Sequence, residues 1–266
     1  MNICIIGSGN VATHFAKKLQ QAGNHITAIY SPHQNHAQTL AEKVNCPLAT
    51  NQLQKLPKAA VIIFAITDKA LAQTAQELLH LNPESHHAIW VHTAGCMPLN
   101  TLPAQVAKGV IYPLMTITKE WENTHPNLPL FIEADNEQTL KNICAIAQQI
   151  SNQVTPLSSN QRQTLHLAAV FANNFTNHCC AIAYQLLEQA HINPHNLLPI
   201  ITQTTQKLQH LTPQQAQTGP AVRNDLNVID KHLNLLNNQP QLQAIYQLMS
   251  QSIGQLQQTH NHEKPQ

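Results

Sequence analysis

A glycine-rich turn close to the N-terminus has the residue spacing of a dinucleotide-binding loop. A short apolar run leads into Gly7, Ser8 and Gly9, and Ala12 completes the pattern G-x-G-x-x-A. The first glycine of such a pattern permits a tight turn, the second lets the backbone approach a diphosphate, and the helix that follows offers N–H groups to phosphate oxygens. We therefore predict a dinucleotide site, with an ordinary glycine turn as the alternative. The loop residues predicted to bind the cofactor are Gly7, Ser8, Gly9, Asn10 and Val11.

Polar side chains recur at helical spacing along an otherwise apolar stretch in the second half of the chain. Asn173 lies seven residues and Asn177 eleven residues after His166, so on a regular helix the three point within about 20° of one direction. Histidine changes charge near neutral pH and can move a proton. Buried asparagines need partners, so the stripe either lines a ligand cavity or ties helices together. We predict His166 as a general acid or base, with Asn173 and Asn177 orienting the substrate.

Two further residues are candidates for substrate binding. Arg223 follows a Thr-Gly-Pro turn and could clamp an anionic group; the alternative is a surface contact with Asp225 or with a helix dipole. His92 ends a predicted strand, where it either faces the substrate or packs inside the sheet.

The end of the second predicted strand bears on the choice of nucleotide. NAD-binding folds usually carry an acid there, which accepts hydrogen bonds from the ribose 2′-OH. Here Ser31 and His33 follow the strand, and no acid occurs before Glu42. The missing carboxylate removes a repulsion of a 2′-phosphate and favours NADP over NAD, although no arginine follows Ser31; a plain surface turn is the alternative. Thr67 and Thr93 also follow strands and are predicted to face the cofactor.

The elements that must position these residues change character half-way along the chain. Short apolar strands alternate with helices in the first part, which predicts a Rossmann-type, doubly wound parallel sheet. The predicted strands are 2–6, 25–30, 60–66, 88–92, 110–112, 130–133 and 153–155. From Ser158, which forms a helix-start signal with Gln161, the pattern becomes entirely helical.

The predicted fold class is therefore α/β, with the Rossmann-type sheet followed by an all-α C-terminal domain. We place a nucleotide-binding domain at residues 1–156, a helical domain at 157–259 and a disordered tail at 260–266. One long helix is expected over residues 160–190.

Composition excludes several classes of function. Of 266 residues only 10% are charged, and the net charge is +1, which argues against nucleic acid and against acidic lipid as partners. We predict no transmembrane helix, because no run of 18 apolar residues occurs, and the N-terminus has no leader pattern. Six cysteines without C-x-x-C spacing favour a reducing, cytoplasmic location. Seventeen scattered histidines without an H-E-x-x-H motif predict no metal site.

Several segments together resemble one family. The chain is similar to Rossmann-like bacterial NADP oxidoreductases of the deazaflavin-dependent type, which carry a C-terminal helical domain of unknown function. The matching segments are residues 6–12, 92–95, 112–116, 166–178 and 218–223. The resemblance implies an NADP-binding Rossmann domain and a helical domain for substrate binding and dimerisation.

More distantly, the architecture is similar to ketopantoate reductases, pyrroline-5-carboxylate reductases and 6-phosphogluconate-type dehydrogenases. In several of these a helix carries a catalytic lysine followed by asparagines, whose spacing Asn173 and Asn177 match. Ala169 and Val170 occupy the turn of the lysine, so His166, one turn earlier, is the nearest replacement. The same resemblance implies a homodimer in which helical domains pack together.

These observations favour an oxidoreductase over two other hypotheses. It would transfer hydride between nicotinamide and a small carbonyl or imine compound in a cleft between the two domains. A non-catalytic nucleotide-binding sensor or partner-binding dimer is the first alternative. A helical interaction protein with a vestigial nucleotide domain is the second.

Overall fold

The computed structural model describes residues 1–116 and 128–262, with side chains to residue 258. The chain forms two compact units, Met1–Asn173 and Asn174–Gln266. Within the described ranges, no helix combines the length and the apolar composition that a bilayer crossing needs.

An eight-stranded sheet forms the centre of the first unit. Its strands are β1 (Asn2–Ile6), β2 (His25–Tyr30), β3 (Ala49–Thr50), β4 (Val61–Phe64), β5 (Ile89–His92), β6 (Lys108–Pro113), β7 (Leu130–Ala134) and β8 (Val154–Pro156). They are arranged in the order β3-β2-β1-β4-β5-β6-β7-β8. The strand order reverses between β1 and β4, and in open α/β sheets ligands bind at such a point.

Helices cover both faces of this sheet, because side chains of a strand alternate between its faces. The helices of the first unit are α1 (Asn10–Gln21), α2 (Gln34–Lys43), α3 (Asp68–Leu81), α4 (Glu137–Ala147) and α5 (Ser159–Ala169). Ile3 and Ile5 belong to one buried cluster with residues of α1, α2 and α4. Cys4 and Ile6 belong to a second cluster with residues of α3. The predicted Rossmann-type, doubly wound architecture is confirmed.

Three local features differ from the sequence-based expectation. Strand β7 pairs antiparallel with β6, so the sheet is mixed rather than wholly parallel. The two-residue strand Ala49–Thr50 was not predicted, since two residues are too short for a periodic signal. The sequence of Asp135 and Gln138 resembles a capping box, but Asn136 caps α4 by accepting a hydrogen bond from the Thr139 backbone N–H.

The long helix expected after Ser158 is interrupted. A π-helical segment, Val170–Phe175, separates α5 from α6 (Thr176–Gln189). The predicted capping box of Ser158 and Gln161 is present. The helical region therefore starts where expected, but α5 belongs to the compact unit of the sheet, which ends at Asn173.

In the second unit, the described residues 174–262 contain helices and turns and no strand. After α6 this unit contains α7 (Leu198–Lys207), α8 (Pro213–Ala216), α9 (Leu226–Leu235) and α10 (Pro240–His262). Because α10 continues through His262, the expected tail is helical over 260–262, and residues 263–266 lie outside the described residues. Among the side chains described from 174 to 258, only Leu236 is buried, with 8% of its surface exposed.

Candidate functional site

The glycine turn joins β1 to α1 with backbone geometry that requires glycine. Gly7 has φ of +121°, and a Cβ there would lie 2.2 Å from the Ala65 carbonyl oxygen, on the loop after β4. A Cβ on Gly9 would meet nothing within 4 Å. In the described chain no side chain caps α1 at Gly9. The turn thus leaves open space and backbone N–H groups at the start of a helix, which is what a diphosphate needs.

The other predicted residues of the glycine loop start the helix. Asn10 is the first residue of α1, and both Asn10 and Val11 are half-buried. Val11 packs against the core cluster that contains Ile3.

The end of β2 lies beside this turn. The Ser8 hydroxyl donates a hydrogen bond to the Ser31 hydroxyl at 3.1 Å, and the Gly7 N–H donates to the Tyr30 carbonyl at 2.8 Å. His33 is exposed at the N-terminus of α2, and its ring centroid is 5.2 Å from that of His36.

A cavity of about 410 Å³ opens between α1 and α2 next to the glycine turn. The residues around it are Ser8, Gly9, Thr13, His36, Thr39, Leu40 and Lys43. His36 and Lys43 were not predicted from the sequence, although they are seven residues apart and so share one face of α2. The lining contains no acid, so a negatively charged group would meet no carboxylate there.

The loops after β4 and β5 place the two predicted threonines differently. Thr67 is exposed and precedes α3 as its N-cap residue, while Asp68 lies in the first turn of that helix. Thr93 is buried, and its hydroxyl donates to the Phe64 carbonyl at 3.4 Å. Only Thr67 is therefore open to a ligand as the structure stands.

His166 on α5 forms a pair with Tyr112 at the carboxyl end of β6. The Tyr112 Oη and the His166 Nδ1 are 3.0 Å apart, and the rings meet edge to face with centroids 5.8 Å apart. Only 7% of the Tyr112 surface is exposed. Removal from water raises the pKa of Tyr112; Cys96 adds to this effect, whereas Arg162 opposes it. Tyr112 was not predicted as a site residue, because one tyrosine on a strand carries no spacing signal.

Gly95, on the loop after β5, leaves the space in which this pair sits. A Cβ at Gly95 would lie 2.6 Å from the His166 Nδ1 and 2.9 Å from the Tyr112 Cε2. The loop thus fixes how closely the histidine and the tyrosine approach each other.

Asn173 makes a second link between the helical segment and the end of β6. Its amide nitrogen donates to the Thr116 hydroxyl at 2.7 Å, and its side chain is exposed. Two of the three predicted stripe residues therefore contact the end of β6 or the segment that follows it, His166 through Tyr112 and Asn173 through Thr116.

A buried ion pair anchors α5 to the sheet. The Arg162 guanidinium, 1% exposed, pairs with the Glu133 carboxylate of β7 and donates to the Met97 carbonyl. The Ser159 hydroxyl donates to Glu133 at 2.9 Å and accepts from the Leu99 N–H at 3.0 Å. These contacts hold the start of α5 against the loop after β5 and so set the position of His166 one turn later.

Three predicted residues are placed differently from expectation. His92 is 0% exposed, so it packs inside the sheet rather than facing a substrate. Asn177 is exposed, but the π-helical segment breaks the regular rotation on which its alignment with His166 was based. Arg223 is exposed in a turn, and it forms no ion pair with Asp225 or with any other described residue. Asp225 instead caps α9.

The two halves of the site lie on the same edge of the sheet. The glycine turn follows β1, Gly95 follows β5, and Tyr112 lies near the end of β6. Strands β1, β4, β5 and β6 are parallel neighbours, so their carboxyl ends meet at one edge. Three strand spacings, about 14 Å, separate β1 from β6. A ligand that extends from the turn along this edge reaches the histidine–tyrosine pair.

Comparison with known proteins identifies the family. Residues 2–94 match a family model described as NADP oxidoreductase, coenzyme F420-dependent, and residues 128–253 match a domain of unknown function, DUF2520. BF3122 from Bacteroides fragilis, a provisionally assigned NADP oxidoreductase, is 39% identical over 96% of this chain and 98% of its own, with a TM-score of 0.88. This chain belongs to that NADP oxidoreductase family.

The oxidoreductase shares its fold with other solved structures. Protein TM1727 from Thermotoga maritima is 19% identical over 97% of this chain and 99% of its own, with a TM-score of 0.72. An imine reductase from Myxococcus stipitatus, in complex with NADP⁺, is 15% identical over 95% of this chain and 93% of its own, with a TM-score of 0.64. At these identities the likeness concerns the fold alone. A search of curated proteins finds no match.

Membership of the family confirms the predicted enzyme class, an oxidoreductase that uses a pyridine nucleotide. The glycine turn of the oxidoreductase fits such a cofactor, because Gly7 tolerates no side chain and Gly9 faces open space. Neither family description nor fold assigns a substrate.

Proposed function

We propose that this oxidoreductase acts on a small carbonyl or imine compound, with NADP as cofactor and His166 as the residue that moves the proton. The observation that carries the proposal is the pair of His166 and Tyr112 at the sheet edge where the glycine turn opens. A titratable ring near the carboxyl ends of the central strands is placed for acid–base work on a substrate.

The residues of the turn hold the cofactor, and those of α5 handle the proton. Gly7, Ser8 and Gly9 lie where the diphosphate binds, at the N-terminus of α1. When bound, the nicotinamide ring supplies or accepts the hydride. His166 gives a proton to the substrate heteroatom, or takes one from it. Asn173 has its amide nitrogen bound to Thr116, which leaves its amide oxygen to orient a polar substrate atom.

The preference for NADP rests on the residues after β2. Four side chains near this point can donate hydrogen bonds to a phosphate: the two predicted ones, Ser31 and His33, and two that the structure adds, His36 and Lys43. The cavity beside Ser8 is lined by His36 and Lys43 and by no acid. A 2′-phosphate therefore meets donors and positive charge here, while a free 2′-OH finds no carboxylate to accept its hydrogen bond.

The first experiment separates cofactor binding from catalysis. NADPH and NADH are titrated by nicotinamide fluorescence, and a panel of small carbonyl and imine compounds is then screened at the nicotinamide absorbance. We expect tighter binding of NADPH, and turnover with at least one compound.

The variant His166→Ala should keep its NADPH affinity and lose turnover by about 10²-fold or more, as expected for loss of a general acid. His87→Ala, an exposed histidine on the loop before β5, is the matched control and should behave as wild type. Full turnover by His166→Ala would refute the role of His166, and no binding of either nucleotide would refute the proposed function.

We also propose that two copies of the chain associate through their helical units. Among the side chains of this unit that the structure describes, up to residue 258, only Leu236 is buried, so these apolar side chains form no core of their own. Leu226, Leu235 and Leu248 are each at least 60% exposed. Apolar surface on this scale marks an interface. A second copy is the favoured occupant, because most soluble oligomers are symmetric homodimers. Asn177 and Arg223 remain predicted site residues of this unit.

A further inference from the structure

We propose that the backbone N–H of Gly95 donates a hydrogen bond to the reacting oxygen of the substrate, and that the enzyme therefore acts on carbonyl compounds rather than on imines. The inference rests on the proposed function and deepens it, because it chooses between the two substrate classes named there. Three features lead to it, namely the hydrogen bonds of the loop after β5, the place of Gly95 beside His166, and the charges around that loop.

Helix α5 binds carbonyl groups of the loop after β5. The Gln163 side chain donates to the Cys96 carbonyl at 2.8 Å. The Arg162 guanidinium donates to the Met97 carbonyl. In a trans peptide group the N–H points away from the carbonyl, so the N–H of Met97 points away from Gln163. The helix thus holds the carbonyl side of the loop and leaves its N–H side to other partners.

Three consecutive N–H groups of this loop donate no hydrogen bond. Among the hydrogen bonds of residues 1–116 and 128–262, none comes from the N–H of Gly95, Cys96 or Met97. The N–H groups of Ala94 and Leu99, on either side, are paired with side chains. Gly95 is also buried, and a buried N–H without an acceptor is rare in folded proteins. A ligand that brings an acceptor atom to this loop satisfies the donor.

Gly95 lies beside the residue proposed to move the proton. A Cβ on Gly95 would be 2.6 Å from the His166 Nδ1. Because a Cβ is about 2.5 Å from the backbone nitrogen of its own residue, the Gly95 nitrogen lies at most about 5 Å from Nδ1. One oxygen atom can bridge two donors that are up to about 6 Å apart. The loop and the histidine can therefore meet at one ligand atom.

The charges around the loop favour a neutral acceptor over a carboxylate. Burial raises the pKa of the Cys96 thiol; the Asp68 carboxylate adds to this effect, whereas Arg162 opposes it. Arg162 is already paired with Glu133. Asp68 would repel a second carboxylate bound at the loop, but it repels a carbonyl oxygen much less, since that oxygen becomes negative only while it reacts.

Two donors at one atom suit an oxygen and not an imine nitrogen. A carbonyl oxygen has two lone pairs, so it accepts from Gly95 and from His166 together. An imine nitrogen has a single lone pair, which the proton from His166 occupies. As hydride adds to the carbonyl carbon, the electron pair of the C=O bond moves to the oxygen, which takes a proton from His166 to give an alcohol. The Gly95 N–H stabilises the negative charge that develops on that oxygen.

Paired substrates test the proposed class. Ketones of the panel are compared with cyclic imines of similar ring size, and kcat/KM is measured with NADPH. We expect values for the ketones that are higher by about 10-fold or more, because a single N–H donor contributes at least this much. Equal or faster turnover of the imines would overturn the inference and leave the proposed function standing. Binding of neither nucleotide would refute the proposed function itself, so the two failures are distinguishable.

Replacement of one backbone N–H tests the donor directly. Glycolic acid in place of Gly95, introduced by cell-free translation, exchanges the N–H for an oxygen and adds no side chain. Turnover of the carbonyl substrate should fall by about 10²-fold, with an unchanged Kd for NADPH. The same replacement at Gly23, whose N–H donates to the Gln20 carbonyl at 2.9 Å, is the matched control and should keep turnover. Wild-type turnover with the ester at position 95, as expected if this N–H contacts only water, would overturn the proposal.

Selective labelling observes the same N–H without turnover. Of the glycines, Gly23 and Gly95 follow an alanine, so carbonyl-¹³C alanine with ¹⁵N glycine gives two correlated NMR signals, and Ala22→Ser removes that of Gly23. With NADP⁺ bound, acetamide should shift the Gly95 amide proton downfield and leave Gly23 unchanged. Acetamidinium has the same size but no acceptor atom and should shift neither. No Gly95 shift with acetamide, or an equal shift with both compounds, would contradict the proposed contact.

Discussion

His92 shows how burial changes the role of a residue that sequence placed in a site. Its side chain is 0% exposed, and its Nδ1 accepts a hydrogen bond from the Ala94 N–H at 3.2 Å. Burial, together with the charge of Arg162, lowers the pKa of His92 to about 3. The ring is thus neutral in the folded protein at all but acid pH, and it shapes the loop that leads to Gly95.

The low pKa of His92 predicts a loss of stability in mild acid. In the unfolded chain His92 takes up a proton near pH 6.5, whereas in the folded chain it does so only near pH 3. The free energy of unfolding therefore falls as the pH drops from 6.5 towards 3. Between pH 7.5 and pH 5 this one group should cost about 2 kcal/mol. His14, whose pKa burial also lowers, acts in the same direction. Urea unfolding at the two pH values measures the loss.

A pair of variants isolates the share of His92. His92→Asn keeps an acceptor for the Ala94 N–H but has no group that titrates there. Between pH 7.5 and pH 5 its free energy of unfolding should therefore fall by about 2 kcal/mol less than that of the wild type. His87→Asn alters an exposed histidine and should lose as much as wild type. An equal loss in wild type and His92→Asn would show that His92 does not control this dependence.

At the level of elements, the sheet and α5 depend on a single buried ion pair. Arg162 and Glu133 link α5 to β7, and Arg162 also reaches the loop after β5 through the Met97 carbonyl. A buried pair adds little net stability, but removing one partner leaves an uncompensated charge and costs about 3–5 kcal/mol. The pair therefore specifies where α5 lies more than how stable the fold is.

Glu133→Gln should lower the free energy of unfolding by about 3 kcal/mol and reduce turnover, because His166 lies one turn beyond Arg162 on α5. Chemical denaturation and the kinetic assay measure the two effects. Gln163→Ala, which removes a partly exposed bond to the Cys96 carbonyl, is the control and should cost less than about 1 kcal/mol. A Glu133→Gln protein with wild-type stability would argue against a structural role for the pair.

On the scale of the whole molecule, the two units differ in how they bury apolar surface. The clusters on both faces of the sheet give the first unit a core of its own. The helices of the second unit leave large apolar side chains exposed, with Leu235 at 80%. Association with a second copy would bury such surface, and each Å² of apolar surface removed from water would stabilise the dimer by about 25 cal/mol.

Sedimentation equilibrium should therefore show a dimer at micromolar concentration. The double variant Leu235→Glu and Leu248→Glu should weaken the dimer by at least 10-fold, since charges would be buried without partners. Leu81→Glu is the control: Leu81 is 53% exposed but lies on α3 of the first unit, and the change should leave the dimer intact. A monomeric wild-type protein would refute the proposed association.

Much of the fold could be predicted because its signals are local. The apolar run before Gly7 and the spacing of Gly7, Gly9 and Ala12 predict a strand, a turn and a helix from neighbouring residues alone. The capping box of Ser158 and Gln161 likewise marks the start of α5. The π-helical segment was missed, since regular rotation of about 100° per residue was assumed through it.

The sequence by itself determined the doubly wound architecture and the glycine turn, because hydrophobic periodicity and glycine spacing act within a few residues along the chain. It also made His166 a candidate site residue, which stays a prediction. Only the tertiary structure decided that Tyr112 contacts His166 and that His92 is buried. Tyr112 and His166 are 54 residues apart in sequence, and no local pattern relates them. Their contact depends on the order of β5 and β6 in the sheet and on the ion pair that anchors α5.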